Sequence, residues 1–160
     1  MTLPIEDYAL IGDCHTAALV GRDGSIDWLC FPRFDSGACF AALLGTTEHG
    51  RWLIAPVAEV LHTRRQYRRG TLILETELET AAGVVRIIDC MPLSNERWDV
   101  VRIVEGVRGC VRLSMELVRQ KVICEPPAVA RPRKRRSGIA PGATAGRGNC
   151  TDFMSRGGCA

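Results

Sequence analysis

Short apolar runs separated by turn residues cover most of the chain, and where they alternate they do so with period two, the signature of strands. In residues 71–78, "TLILETEL", Leu72, Leu74, Thr76 and Leu78 fall on one face and Thr71, Ile73, Glu75 and Glu77 on the other. In residues 111–118, "VRLSMELV", Val111, Leu113, Met115 and Leu117 oppose Arg112, Ser114 and Glu116. Earlier, residues 16–20 and 25–30 are apolar runs joined by "GRDG", where Asp23 and Gly24 supply the chemistry of a tight hairpin turn. "RWLIAP" predicts a further strand, and the polar "EVLHTRRQYRR" predicts one at a sheet edge. "TAAG" turns residues 71–78 back into "VVRIIDCMP", and "VVRIVEG" and "VRLSMELV" read as two strands joined across "VRG". One short helix is expected over residues 38–44, capped by Asp35 or Ser36 and stopped by Gly45. The predicted fold is all-β, a partial antiparallel β-sandwich with that single short helix.

Beyond Val118 the pattern stops. Residues 119–160 hold 6 Gly, 6 Ala, 4 Pro and 3 Cys without apolar periodicity, so they bury too little surface to offset their chain entropy. Charge divides at the same place. Residues 1–118 carry 12 arginines and no lysine against 16 acidic residues, a net of minus 4. Residues 119–160 carry 9 basic residues against Glu125 and Asp152, a net of plus 7. The overall plus 3 is therefore a sum of opposites and does not describe the folded part. Two segments are expected: an incomplete β-sandwich domain over 1–118 and a disordered basic tail over 119–160.

Few residues offer chemistry of their own. The N-terminus, "MTLPIEDYAL", is acidic where a secretory leader is basic, and no apolar run approaches the roughly 18 residues that span a bilayer. A cytoplasmic protein is expected. The 8 cysteines show no Cys-x-x-Cys spacing and read as free thiols. Cys14 and His15, as neighbours on a strand, would point to opposite faces rather than converge on one ion. His49 and His62 have no companion at ligand spacing, so no metal and no cofactor are expected. Asp13, Asp27, Asp35 and Asp89 sit in contexts that favour capping of turns and strand ends. The basic run "RPRKRR" at 131–136 lacks interleaved aromatics, so it predicts nonspecific attraction to phosphate and no specific nucleic-acid partner.

The first 118 residues resemble the N-terminal region of bacterial trehalase and glucoamylase-like proteins of glycoside hydrolase family 15. The resemblance rests on "IEDYALIGDCHTAALVGRDGSIDWLCFPRFDSGACFAALLG", followed in order by "GRWLIAP", "RRQYRRGTLILETELET", "GVVRIIDCMP" and "VVRIVEGVRGCVRLSMELV". It implies a much longer parent in which an antiparallel sandwich precedes an α/α-barrel. That barrel carries a general acid and a general base that hydrolyse an α-glucoside with inversion, a reaction needing carboxyls roughly 6.5–9.5 Å apart. Both glutamates would lie beyond this chain. The resemblance stops near residue 118, where strand pattern and charge also change, which is what a truncated or frameshifted product would show.

On that resemblance the chain is expected to be a noncatalytic N-terminal domain fragment of an α-glucoside hydrolase, inactive alone, with the α/α-barrel as its missing packing partner and α-glucoside bound only in the full-length protein. The alternative is a freestanding carbohydrate-binding or interaction module that docks on a separately encoded barrel. The candidate substrate-binding residues are Trp28, Arg33, Phe34 and Asp35, as a rim of the parent's active site. Aromatic rings stack on the apolar faces of sugars while Arg and Asp bind hydroxyls. The competing reading has Trp28 and Phe31 filling the sandwich core or the seam against the barrel. An isolated partial sandwich is expected to be marginally stable and prone to aggregate.

Overall fold

The computed structural model describes residues 3–93, 98–119 and the backbone of 151–156. It contains ten strands: β1 (Tyr8–Gly12), β2 (Ala17–Gly21), β3 (Ser25–Cys30), β4 (Ala38–Phe40), β5 (Arg51–Pro56), β6 (His62–Tyr67), β7 (Leu74–Thr80), β8 (Gly83–Cys90), β9 (Val101–Val118) and β10 (Thr151–Arg156). The main path runs β1-β2-β3-β5-β9-β8-β7-β6, with β4 beside β3 and β10 beside β9. All pairings are antiparallel. The expected all-β antiparallel class is what the chain adopts. β6 terminates the path, as its polar sequence predicts for an edge.

The sheet curls because β9 is shared between its two halves. Residues 101–109 pair with β8, whereas residues 113–118 pair with β5. Two strands joined by a turn were expected over this span; the chain instead changes neighbours without reversing. Gly109 makes the change feasible, with φ of +69° and no room for a side chain, since a Cβ would lie 2.3 Å from the Ala82 carbonyl oxygen. The expected helix over 38–44 is also replaced. Leu29 pairs with Phe40 across β3 and β4, Phe40 is buried, and only Ala42–Leu44 makes a single 3₁₀ turn. Local helix propensity yields here to burial of an aromatic ring. Within the tail, β10 pairs with residues 110–115 of β9. The rest of the tail, including the basic run at 131–136 and the disorder expected there, lies outside the described residues.

The two halves face each other across a core. One cluster joins Ile11, Val20, Ile26, Leu29 and Phe40 to Leu74 and Met91; the other joins Ile54, Val111 and Leu113 to Leu78, Val85 and Ile87. Trp52 packs against both. The predicted inward faces agree for Leu74, Thr76 and Leu78 and for Val111 and Leu113. Leu72, by contrast, is half exposed before β7 begins, and Met115 and Leu117 are 38% and 44% exposed. The two edges of the curl, β1 and β6, are laced by side chains. Tyr67 donates its hydroxyl to Leu10 O (2.9 Å) and accepts from Leu10 N–H (3.0 Å), and Arg65 donates to Asp7 O (2.6 Å) and Val20 O (3.0 Å).

At the centre lies a buried ion pair. Asp89 and Arg102 are register partners on β8 and β9, with side chains 1% and 0% exposed. Arg102 Nε and Nη2 donate to Asp89 Oδ1 (2.7 Å) and Oδ2 (3.2 Å). Its remaining donors reach the other half of the sheet, at Trp52 O and Gly24 O (both 2.8 Å), and its guanidinium lies 5.3 Å from the centre of the Trp52 ring. Gly24 must be glycine, because φ is +88° and a Cβ would stand 2.2 Å from Ile54 O. Replacing Arg102 with alanine leaves Asp89 charged and unpaired, and is expected to cost about 3–5 kcal/mol, a large share of a domain's stability. Asp89→Leu combined with Arg102→Met should cost less than Arg102→Ala alone. Urea denaturation of the three variants checks both statements; equal losses for the single and double variants would show that the charge is not what matters.

Candidate functional site

The predicted rim residues fall into two groups. β3 ends at Cys30, the following peptide, Phe31–Pro32, is cis, and residues 33–37 connect to β4. Arg33, Phe34 and Asp35 stand together on this exposed loop. Phe34 is 65% exposed, and Arg33 Nε donates to Asp35 Oδ1 at 3.1 Å in an ion pair open to solvent. The loop is braced from within, as Arg33 N–H donates to Ser36 Oγ (3.2 Å) and Ser36 N–H to Arg33 O (3.1 Å). Trp28 is apart from them, half-buried within β3 and opposite Leu19 of β2. Phe31 packs on the core cluster that contains Ile11 and Leu29. One aromatic of the segment thus anchors the loop while another, Phe34, projects a bare ring beside an arginine and a carboxylate.

The aspartates expected to cap turns divide. Asp13 does so, with Oδ1 accepting from His15 N–H (2.9 Å) and Thr16 N–H (2.8 Å). This places Cys14 and His15 in the β1–β2 turn rather than on a strand, with Cys14 at φ +73°. Both side chains are exposed there, and among the described residues no three His, Cys, Asp or Glu side chains gather as metal ligands do. Asp89 instead forms the buried pair with Arg102. Asp27 is only 7% exposed, and its Oδ2 accepts from Tyr8 Oη (2.7 Å) and lies 2.9 Å from Ser25 Oγ. Asp35 caps no helix. Glu75, Glu77 and Glu79, read as a solvated face, are paired along the outer surface with Arg68, Arg86 and Arg108.

Tyr8, Ser25 and Arg102 were missed as partners of these carboxylates. A signal existed for Arg102: Val85, Ile87 and Asp89 share the inward face of β8, so an inward aspartate demanded a cation from a neighbouring strand. Burial, then the hydrogen bond and negative charge of Asp27, push the Tyr8 phenol well above the usual tyrosine range.

The N-terminal trehalase-like family model matches residues 1–115. The chain belongs to this family. A trehalase of Mycolicibacterium smegmatis is 33% identical over 138 residues, which cover 77% of this chain and 20% of the relative. A trehalase of Mycobacterium tuberculosis is 32% identical over the same length and shares. Trehalase 2 of Sulfolobus acidocaldarius is 38% identical over 88 residues, covering 55% of this chain and 15% of the relative. The matched part of this trehalase-like N-terminal domain thus spans about a fifth or less of these relatives. No solved structure gives a significant match to it.

The phenol of Tyr8 makes one property of the domain testable. Its folded form keeps a proton that the unfolded chain releases near pH 10, so the stability tied to that proton is complete below pH 10 and is lost as pH rises beyond it. Urea midpoints at about pH 9 and about pH 11 should differ more for the wild type than for Tyr8→Phe, which has no phenol proton to lose.

Proposed function

We propose that this domain is the noncatalytic N-terminal part of a cytoplasmic α-glucoside hydrolase of the glycoside hydrolase family 15 type, and that it supports and borders an active site built by the rest of such a protein. The observation that carries the reading is the state of its carboxylates. Inverting hydrolysis needs one carboxyl free to protonate a leaving oxygen and another, roughly 6.5–9.5 Å away, free to activate water. Each buried carboxylate here is engaged by the fold through at least one oxygen: Asp13 Oδ1 by two turn amides, Asp27 Oδ2 by Tyr8, and both oxygens of Asp89 by Arg102. What faces outward is a recognition surface, with Arg33 and Asp35 to bind hydroxyls and Phe34 to stack on a sugar ring. Among the described residues no helix is long and apolar enough to cross a membrane, in keeping with work beside a soluble partner domain.

An α/α-barrel is the packing partner this reading requires. Leu117 and Met115, on the inward face of β9 yet 44% and 38% exposed, are apolar positions that such a partner would cover. The relatives named trehalase carry this domain as about a fifth of a longer chain, which favours a built-in domain over a freestanding module.

The isolated chain is expected to release no glucose from trehalose. In a full-length relative, alanine at the positions of Arg33 and Phe34 should raise KM by roughly 3- to 10-fold at unchanged thermal midpoint, the worth of one or two hydrogen bonds or a stacking contact. Alanine at the position of Trp28 should lower the midpoint instead. Unchanged KM in all three would remove the rim from the active site, and glucose release by the isolated chain would refute the noncatalytic reading.

A further inference from the structure

Asp27 is satisfied on one side only. Its Oδ2 receives the Tyr8 hydroxyl, but its Oδ1 is buried and has no hydrogen-bond partner among the described residues. Asp27 is one wall of a cavity of about 40 Å³, bounded also by Asp23, Thr46, Thr47, Arg51 and Leu3. The cavity lies between the β2–β3 turn and the segment leading into β5. Its volume suits a single ion or water rather than a sugar ring.

Charge around the cavity is not balanced. Ser25 Oγ is 2.7 Å from Asp23 Oδ1 and 2.9 Å from Asp27 Oδ2, yet a serine hydroxyl has one proton and can serve only one of them at a time. Two carboxylates are thereby held one hydroxyl apart; Asp23 Oδ1 also accepts from Ser25 N–H (3.0 Å) and Asp27 Oδ2 from Tyr8 Oη, but neither bond reaches Asp27 Oδ1. Arg51, the cation on the cavity wall, donates Nε and Nη2 to Glu116 Oε2, and Arg22 is engaged with Asp7. The surplus is negative, and a desolvated carboxylate oxygen facing no donor costs free energy unless positive charge meets it.

We propose that this cavity binds one hard cation of the Ca²⁺ type, with Asp27 Oδ1 and Asp23 as its carboxylate ligands. The remaining coordination falls to oxygens of Thr46 and Thr47 and to solvent. Oxygen-only ligation selects calcium or magnesium over metals that prefer thiolate or imidazole, and an irregular shell with few carboxylates suits Ca²⁺ better than the strict octahedron of Mg²⁺. The ion would tie the β2–β3 turn, which holds Gly24, to the segment before β5. This site is independent of the sugar-binding rim, and its test does not depend on glycoside chemistry.

The test uses the full chain. Roughly millimolar Ca²⁺ should raise the thermal midpoint by about 5 °C, and Tb³⁺ bound in its place should luminesce on excitation of tyrosine, because Tyr8 touches the ligand Asp27. Asp27→Asn should abolish both responses, Asp23→Asn should weaken Ca²⁺ about 10-fold, and Tyr8→Phe should keep the Ca²⁺ shift while losing most of the Tb³⁺ emission. A wild type indifferent to both ions, or responses retained in Asp27→Asn, would overturn the proposal and leave a proton or a water as the partner of Oδ1. If Asp27→Asn does not fold, Asp23→Asn decides: a weakened response supports the site and an unchanged one refutes it.

Discussion

The pair of Arg102 and Asp89 is the constraint around which the other parts arrange themselves. A buried ion pair is costly unless its donors and acceptors are answered, and for Arg102 the answers come from both halves of the sheet. Arg102 satisfies its β8 neighbour Asp89 and then spends its remaining donors on carbonyls of Gly24 and Trp52. A curl that placed the β2–β3 turn or β5 elsewhere would leave a guanidinium partly unsolvated and unpaired. The pair therefore specifies closure, whereas the aliphatic clusters around it supply non-directional attraction. Gly24 shows how narrow the specification is, since its carbonyl accepts from both Arg102 and Ile54 N–H (3.1 Å) in a turn that admits no side chain.

The three buried aspartates Asp13, Asp27 and Asp89 are each bound into the fold through at least one oxygen. A carboxylate held by turn amides, a tyrosine or an arginine is fixed in place by the fold, whereas a general acid must reach the group it protonates. The loop after β3 is built differently, with Phe31 packed on the core and Phe34 exposed. That division lets the loop present a ring, a cation and an anion at the surface.

Much of the fold was legible because it is local. The Asp23–Gly24 hairpin, the edge character of β6, and the alternation in β7 depend on residues within one strand or turn, where period and turn chemistry decide the outcome. Failures arose where distant segments compete. Residues 38–44 have helical composition, yet Phe40 is drawn into the core opposite Leu29. Residues 101–118 contain glycines that read as a turn, but β8, β5 and β10 each claim part of the span, so the strand runs through. Of the residues expected to form a rim, Arg33, Phe34 and Asp35 stand exposed together on the loop after β3. Trp28 has the same chemistry but sits in a strand, and only the register of β3 against β2 separates it from the loop.

The sequence by itself determined the class of fold, the membership of the chain in its family and the residue types available to meet a sugar. All three reside in composition, period and order, which are properties of the chain before it folds. Tertiary structure alone decided which carboxylates are free. Asp13, Asp27, Asp35 and Asp89 look alike as letters, yet one caps a turn, one faces an unanswered cavity, one lies open to solvent and one neutralises a buried arginine. The difference is set by which donors and how much water surround each group, and those neighbours lie 2 to 19 positions away in the chain. Side-chain chemistry is written locally, but solvation is a property of the assembled sheet.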